Sequence, residues 1–218
     1  MKTIGVVLSG CGVYDGAEIH EATLTLYFLD RAGVRIVCLA PDAEQMHVMD
    51  HTQGAPTAET RNILTESARI ARGDIQNLAK INVPDLDALI FPGGFGAAKN
   101  LCDFAVKGPD CTVHPEVRRL VEGMHAAGKP LGFMCIAPVL AAKILGPFHP
   151  RLTIGNDADT AAALETMGAK HEIASVEEAV ICETTRVVTT PAYMLGPTIS
   201  RIALGIEKLV AEVLRRIP

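Results

Sequence analysis

The sequence predicts a doubly wound α/β fold built around a mostly parallel sheet. Short β-branched or apolar runs, typical of buried strands, alternate along the chain with longer segments whose apolar residues recur at helical spacing. The first such unit runs from a strand at residues 3–8 through a helix at 17–32 to a strand at 34–40. Because a β-α-β unit makes a right-handed crossover between parallel strands, this order favours a parallel sheet with helices on both faces.

The remaining elements continue this alternation, and glycine or proline punctuates most of their ends. Residues 41–86, apart from one helix, predict loop and short elements. The further predicted strands are at residues 86–91, 130–134, 180–182 and 186–189, the last two as a hairpin, and the further predicted helices are at 60–72, 115–127, 136–143, 158–167 and 193–216. A chain of 218 residues, 49% of them hydrophobic, fits one large domain over residues 1–218.

Charge and cysteine usage narrow the function class. The formal net charge is -5, so the chain lacks the clustered positive charge that nucleic-acid binding requires. None of the six cysteines forms a C-x-x-C pair or pairs with histidine at a metal-ligand spacing. We therefore expect reduced thiols, no metal site and a cytoplasmic protein.

The segment Leu8-Ser9-Gly10-Cys11 resembles the cleavage box that precedes a lipidated cysteine. The apolar stretch before it covers only residues 4–8, which is shorter than the apolar core of a signal peptide. A first strand ending in a glycine-rich turn accounts better for these residues. The chain also contains no apolar run long enough to span a membrane, so we expect no membrane partner.

The segment KPLGFMCIAP, residues 129–138, has the pattern of a nucleophile elbow. An apolar strand leads directly into Cys135, and a predicted helix follows, so the side chain would stand at a sharp strand-to-helix corner. A helix N-terminus lowers the pKa of a thiol, which predicts a reactive thiolate. The alternative is a buried structural cysteine that closes the strand.

Two further loops leave strand ends and are expected to meet Cys135 in one crevice. Gly93 and Gly94 in the turn at 92–96 can present backbone amides, and the amides of Gly94 and Ile136 could form an oxyanion hole. The first loop contributes Gly10 and Cys11 as pocket candidates. Cys11 is either a second thiol in the crevice or a small turn residue.

Glu18 and Glu21 lie three residues apart in the first turns of the first helix and share a face. Glu18 is explained by the helix dipole alone. Glu21 lies one turn deeper, where its carboxyl could reach Cys135, and two acids held this close predict a raised pKa for Glu21. No histidine, His20 included, can be assigned to Cys135 from the sequence.

Four segments together resemble the ElbB family, the glyoxalase-like or "isoprenoid biosynthesis" branch of the PfpI/ThiJ and class I amidotransferase-like superfamily. They are SGCGVYDGAEIHEA, PGGFGAAKNL, GKPLGFMCIAP and TTPAYM. The resemblance implies a flavodoxin-like three-layer sandwich, a nucleophile at Cys135, an acid at Glu21 and oxyanion amides at Gly94 and Ile136. It also implies a homodimer.

The chain departs from two relatives of that family. PfpI-type peptidases have a histidine directly after the nucleophile, where this chain has Ile136. Class I glutaminases use a late His-x-Glu pair, and residues 189–193 contain neither. Peptidase and glutaminase activities are therefore disfavoured.

The hypothesis that fits best is a glyoxalase that converts glyoxal or methylglyoxal to the 2-hydroxy acid through a Cys135 hemithioacetal, without metal or organic cofactor. The alternative is a redox sensor or partner-binding module that uses the same cysteine with little turnover. An accessory role in isoprenoid biosynthesis ranks below both, because the chain has no Asp-rich diphosphate motif.

Overall fold

The computed structural model describes residues 1–196 and 198–218. Within that part of the chain the strands and helices alternate as follows. The strands are β1 (Thr3–Val7), β2 (Arg35–Ala40), β3 (Met49–Asp50), β4 (Ala55–Pro56), β5 (Gln76–Asn77), β6 (Ala88–Phe91), β7 (Leu131–Met134), β8 (Arg151–Leu152), β9 (Lys170–His171), β10 (Val180–Cys182) and β11 (Val187–Thr190). The helices are α1 (Ile19–Arg31), α2 (Ile63–Ile70), α3 (Phe95–Lys99), α4 (Phe104–Lys107), α5 (Pro115–Ala126), α6 (Pro138–Leu145), α7 (Ala158–Thr166) and α8 (Ile199–Arg215).

The main sheet has the order β10-β11-β7-β6-β1-β2-β5. β10 runs antiparallel to β11, and the other neighbours pair in parallel. The central five strands, taken in chain order, follow the flavodoxin-like sequence 2-1-3-4-5. The strand order reverses between β1 and β6, so the carboxyl ends of these two strands flank the crevice in which such folds bind ligands.

Helices cover the sheet on both faces. On one face α1 and α8 pack their apolar residues, such as Leu29 and Leu209, against the sheet. On the other face α5 and α6 do the same through residues such as Leu120 and Leu140. The predicted three-layer α/β sandwich with a flavodoxin-like sheet is confirmed.

The last predicted helix begins in the wrong place. Residues Ala192–Met194 form one turn of 3-10 helix, and α8 begins only at Ile199. The apolar spacing of α8 continues backwards through this turn, although Pro191 and Gly196 mark a break. Residue 197, which the predicted helix also includes, lies outside the described residues.

A stacked aromatic pair joins β6 and β7 near their carboxyl ends. The rings of Phe91 and Phe133 lie 4.7 Å apart at 9° to one another, and both side chains are fully buried. Their stacking fixes two adjacent strands whose carboxyl ends carry the glycine turn and Cys135.

Replacing Phe133 with alanine is expected to lower the free energy of unfolding by about 3–5 kcal/mol, because it leaves a cavity opposite Phe91. Urea denaturation followed by far-UV circular dichroism measures this change. The control is Phe148→Ala, at a ring that is 56% exposed. A loss for Phe133→Ala no larger than for the control would show that the pair does not anchor these strands.

Candidate active site

Cys135 occupies the corner between β7 and α6 in a strained conformation. Its φ angle is 58°, in the left-handed region that non-glycine residues seldom adopt. The strain is held in place because the Cys135 N–H donates to the carbonyl oxygen of Thr190 at 3.1 Å and the Ala137 N–H donates to that of Met134 at 3.0 Å. The geometry is that of a nucleophile elbow.

Glu21 lies in the first turn of α1, and its carboxyl reaches the same corner. The side chain is fully buried. One carboxylate oxygen accepts the N–H of Gly93 at 2.8 Å, and the other accepts the N–H of Tyr193 at 3.2 Å. The carboxyl also lies close enough to the Cys135 thiol for each group to shift the pKa of the other.

The glycine turn after β6 passes close to both side chains. A Cβ atom at Gly93 would lie 2.8 Å from Oε2 of Glu21 and would collide with Cβ of Cys135. Gly94 has a φ of 87°, which points its amide towards the sulfur. The amides of Gly94 and Ile136 both act on the Cys135 thiol and lower its pKa. The structure thus brings together all four residues for which a catalytic or oxyanion role is predicted, with Gly93 between them.

Burial dominates the electrostatics of the pair. It raises the pKa of the Glu21 carboxyl to about 7, and the charge of Glu18 adds to the rise. Burial and the charge of Glu21 also raise the pKa of the Cys135 thiol well above its usual range, although the amides of Gly94 and Ile136 act in the opposite direction. The prediction of a raised pKa for Glu21 is confirmed, whereas the prediction of a thiolate favoured by the helix N-terminus is wrong. Desolvation outweighs the helix amides.

Cys135 opens into a cavity of about 370 Å³. The residues that line it come from the first loop, the glycine turn, α3, α4, the corner at Cys135, the start of α7 and the turn after β11. They are Val13, Glu18, Gly94, Phe95, Ala98, Phe104, Ala105, Cys135, Ile136, Asp157, Thr160, Tyr193 and Met194. The volume is in the range of small-molecule sites.

Two residues that were predicted to line the pocket, Gly10 and Cys11, lie outside the cavity. The amide of Gly10 donates to Oγ of Ser67 at 2.8 Å, so this part of the first loop faces α2. Cys11 pairs with Ala17 across the same loop, and its charged neighbours include Glu66 and Arg69. Neither Gly10 nor Cys11 lines the cavity. The first loop bends back on itself, and Val13 reaches the cavity in their place.

The sequence reasoning missed Tyr193 as part of the site because it placed this residue in the last helix. The phenol oxygen of Tyr193 lies 2.8 Å from Nδ1 of His20, and Oε1 of Glu18 lies 4.0 Å from the same nitrogen.

Glu18 has two structural roles. It caps α1 by accepting the N–H of Glu21 at 2.8 Å, as the helix-dipole interpretation required, and it also lines the cavity.

Neither a metal centre nor a membrane span is found in residues 1–196 and 198–218. No group of three or more His, Cys, Asp or Glu side chains in this part of the chain is arranged to hold a metal ion. No helix in it combines the length and apolar character needed to cross a membrane.

Named relatives cover almost the whole chain. A human protein, "Glutamine amidotransferase-like class 1 domain-containing protein 3, mitochondrial", is 51% identical over an alignment that covers 97% of this chain and 82% of the relative. The rat "ES1 protein homolog, mitochondrial" is 50% identical with the same coverage. The crystal structure of an "isoprenoid biosynthesis protein with amidotransferase-like domain" from Ehrlichia chaffeensis is 33% identical, with a TM-score of 0.93 over the full length of both chains. The chain belongs to the ElbB family, which includes the ES1 proteins.

The wider fold relationship reaches the DJ-1/ThiJ/PfpI proteins. A Schizosaccharomyces pombe DJ-1 variant superposes with a TM-score of 0.60 over all of this chain and 92% of its own, at 16% identity. At that identity the likeness establishes the fold alone. No protein-family model matches the chain.

The prediction of a cytoplasmic protein is contradicted by the comparison. The human and rat members of the ElbB family are both named as mitochondrial proteins. The cytoplasmic prediction rested on reduced cysteines, which do not distinguish one reducing compartment from another.

The buried carboxyl predicts an unusual dependence of stability on pH. The Glu21 pKa is about 7 in the folded protein, against about 4.3 in an unfolded chain. Between these values the folded state binds more protons than the unfolded state, so stability falls as pH rises. Integrated over that window, the loss amounts to about 3–4 kcal/mol.

Glu21→Gln is expected to flatten the decline in the free energy of unfolding between pH 5 and pH 8. Urea titrations at several pH values measure it, with the exposed Glu122→Gln as control, since that variant removes a carboxyl that is not buried. An unchanged pH dependence in Glu21→Gln would show that this carboxyl does not titrate near neutral pH.

Proposed function

We propose that this protein is a glyoxalase-like lyase that converts a small 2-oxoaldehyde to the 2-hydroxy acid without glutathione, with Cys135 as nucleophile. The observation that carries the proposal is the contact between the Cys135 thiol and a buried Glu21 carboxyl whose pKa is about 7. A carboxyl with such a pKa can both take and return protons at neutral pH. The reaction needs proton transfers of this kind at every stage.

In the first step, Sγ of Cys135 attacks the aldehyde carbon while the Glu21 carboxylate takes the thiol proton. The thiol therefore ionises as the new C–S bond forms, which is consistent with a resting thiol of raised pKa. The amides of Gly94 and Ile136, which act on the thiol at this corner, would stabilise the negative charge on the former aldehyde oxygen. Glu21 then returns the proton to that oxygen, and the product is a hemithioacetal.

In the second step, the Glu21 carboxylate removes the hydrogen from the carbon bonded to sulfur. The resulting enediolate is protonated on the neighbouring carbon, which leaves a thioester of the 2-hydroxy acid. Water attacks the thioester carbonyl and releases the acid, and the thiol regains its proton. The sum is one 2-oxoaldehyde plus one water giving one 2-hydroxy acid, with no net oxidation.

The competing functions are less well supported by the site. A redox sensor needs an accessible thiolate, whereas Cys135 is only 8% exposed and its thiol pKa is raised. The position after Cys135 is Ile136, and the segment beside the site is Thr190-Pro191-Ala192-Tyr193, so the histidines of the peptidases and glutaminases have no counterpart here. The words "isoprenoid biosynthesis" in the name of the Ehrlichia protein do not specify a reaction that this cavity could catalyse.

Cys135→Ser and Glu21→Gln are each expected to lower kcat/KM for methylglyoxal by about 10³-fold or more, because they remove the nucleophile and its proton acceptor. Proton NMR of lactate formation measures the rate. For the wild type, kcat/KM should rise with pH through about 7 as Glu21 ionises, and Glu21→Gln should lose this rise. Cys11→Ser, a cysteine outside the cavity, is the matched control and should keep full activity.

Either of two results would remove the proposal. The first is lactate formation by Cys135→Ser at the wild-type rate. The second is no lactate or glycolate from the wild-type protein with methylglyoxal or glyoxal at any pH between 6 and 9.

A further inference from the structure

The cavity that Cys135 opens into carries negative charge. Glu18 at the N-cap of α1 and Asp157 at the N-cap of α7 both line it. Glu21 lies beside Cys135 but does not line the cavity itself. Two acids from two different helices therefore line a volume of about 370 Å³.

No cationic side chain balances these acids among the lining residues that the structure describes. The lysines on the neighbouring helices have partners outside the lining. Lys99 donates to the carbonyl oxygen of Tyr14 at 3.0 Å, with its ammonium 5.2 Å from the centre of the Phe95 ring, and Lys143 donates to the carbonyl oxygen of Pro109 at 2.7 Å. Lys107 pairs with Asp103 at 2.6 Å. An anionic ligand would therefore meet two lining carboxylates and no lining cation; His20, 4.0 Å from Oε1 of Glu18, is not among the lining residues.

Apolar side chains make up much of the remaining wall. They are Val13, Phe95, Ala98, Phe104, Ala105, Ile136 and Met194. A water molecule occupies about 30 Å³ of liquid, so glyoxal, which has four heavy atoms, would leave most of the volume unfilled. A carbonyl compound with an aliphatic or aromatic substituent would cover this wall, and each methylene buried against it would strengthen binding.

We propose that Glu18 and Asp157 determine specificity, so that the Cys135 cavity admits uncharged carbonyl compounds with an apolar substituent and excludes anionic ones. Compounds that bear a carboxylate or a phosphate belong to the excluded class. The reaction assigned to these substrates rests on the proposed function, whereas the exclusion of anions is a property of the cavity and can be measured without turnover.

Two alkylating agents of nearly equal size separate charge from shape. Iodoacetamide is neutral and iodoacetate is anionic, and each forms a C–S bond with Cys135 as iodide leaves. The rates of Cys135 modification by both agents are measured by peptide mass spectrometry. Their ratio is then divided by the ratio for 2-mercaptoethanol, an uncharged free thiol. The normalised ratio is expected to favour iodoacetamide by a factor on the order of ten or more, and salt should reduce it.

Matched variants assign the effect to the two carboxylates without removing the helix caps. Glu18→Gln keeps an oxygen that can accept the N–H of Glu21, and Asp157→Asn keeps one for the N–H of Thr160. Each variant should lower the preference for iodoacetamide several-fold, and Thr160→Lys, which adds a cation to the wall, should lower it further. Glu122→Gln, which makes the same change in net charge away from the cavity, should leave it unchanged. Because both agents attack the same sulfur, any change in its pKa cancels in the ratio.

A normalised ratio close to one in the wild type would overturn the proposal. So would a ratio that Glu18→Gln, Asp157→Asn and Thr160→Lys all leave unchanged. The selectivity is independent of the glyoxalase reaction, and the two can fail separately. Selective alkylation without lactate formation would support the exclusion of anions and contradict the glyoxalase reaction. Lactate formation without selective alkylation would support the glyoxalase reaction and contradict the exclusion of anions.

If both stand, the apolar wall adds a second readout. A 2-oxoaldehyde with a four-carbon alkyl chain should have a lower KM than glyoxal, and Phe104→Ala should reduce this advantage. An anionic aldehyde such as glyoxylate should be the poorest substrate of the three. A lower KM for glyoxylate than for the alkyl compound would contradict the proposed substrate class.

Discussion

The organisation of this protein depends on one buried carboxyl group. Glu21 is fully removed from solvent, and the free-energy cost of holding a carboxylate there is offset by amides that come from distant parts of the chain. Gly93 follows β6 and Tyr193 follows β11, and each donates an N–H to one oxygen of Glu21. The carboxyl thus joins two loops to α1 at the point where Cys135 leaves β7. Burial, which these hydrogen bonds only partly oppose, raises the pKa of the carboxyl to about 7, which makes the group suitable for moving protons and unfavourable for stability.

The sheet order explains why residues so far apart in sequence meet. β1, β6, β7 and β11 are parallel, so their carboxyl ends lie on one edge of the sheet. The chain reverses its order of strand addition between β1 and β6, which opens a crevice at that edge. The elements after these strands supply Glu21, Gly93, Cys135 and Tyr193 in turn. The strain at Cys135, with its φ of 58°, is held by the surrounding hydrogen bonds and directs the sulfur into the crevice.

The fold could be predicted from the sequence because most of its helices and strands are specified by local residue patterns. Hydrophobic spacing and the glycine and proline stops placed α1, α5, β7 and the β10-β11 hairpin within a few residues of their observed bounds. The proposed nucleophile Cys135 and the proposed acid Glu21 could also be found from the sequence, since a strand-to-helix corner and a carboxyl one turn into the first helix are both sequence patterns. The two-residue strands such as β5 and β8 could not be predicted, because their pairing depends on tertiary contacts that hydrophobic spacing does not encode.

The errors in predicting the site have a different origin. Two opposing effects set the pKa of the Cys135 thiol: the amides lower it and desolvation raises it. The sequence shows that a helix follows Cys135, but it does not show how deeply the thiol is buried, and desolvation is the larger effect. Gly10 and Cys11 follow a central strand and were expected in the pocket for that reason, whereas the loop turns back, so that Gly10 bonds Ser67 and Val13 faces the cavity. A loop path of this kind is set by side-chain partners that no periodicity indicates.

The spacing of Glu18 and Glu21 gives two carboxyl groups different properties at the start of one helix. Glu18 caps the helix and lines the cavity wall, whereas Glu21 is directed inward to the sulfur. The charge of Glu18 in turn raises the pKa of Glu21, so the residue that faces the ligand also tunes the residue that faces the sulfur. Any anion that entered the cavity would add to this field and raise the Glu21 pKa further, which would leave Glu21 protonated and unable to accept the thiol proton. An uncharged ligand avoids that effect. In the proposed reaction, an acidic wall that excludes anions would therefore also preserve the ionised form of Glu21 that accepts the thiol proton.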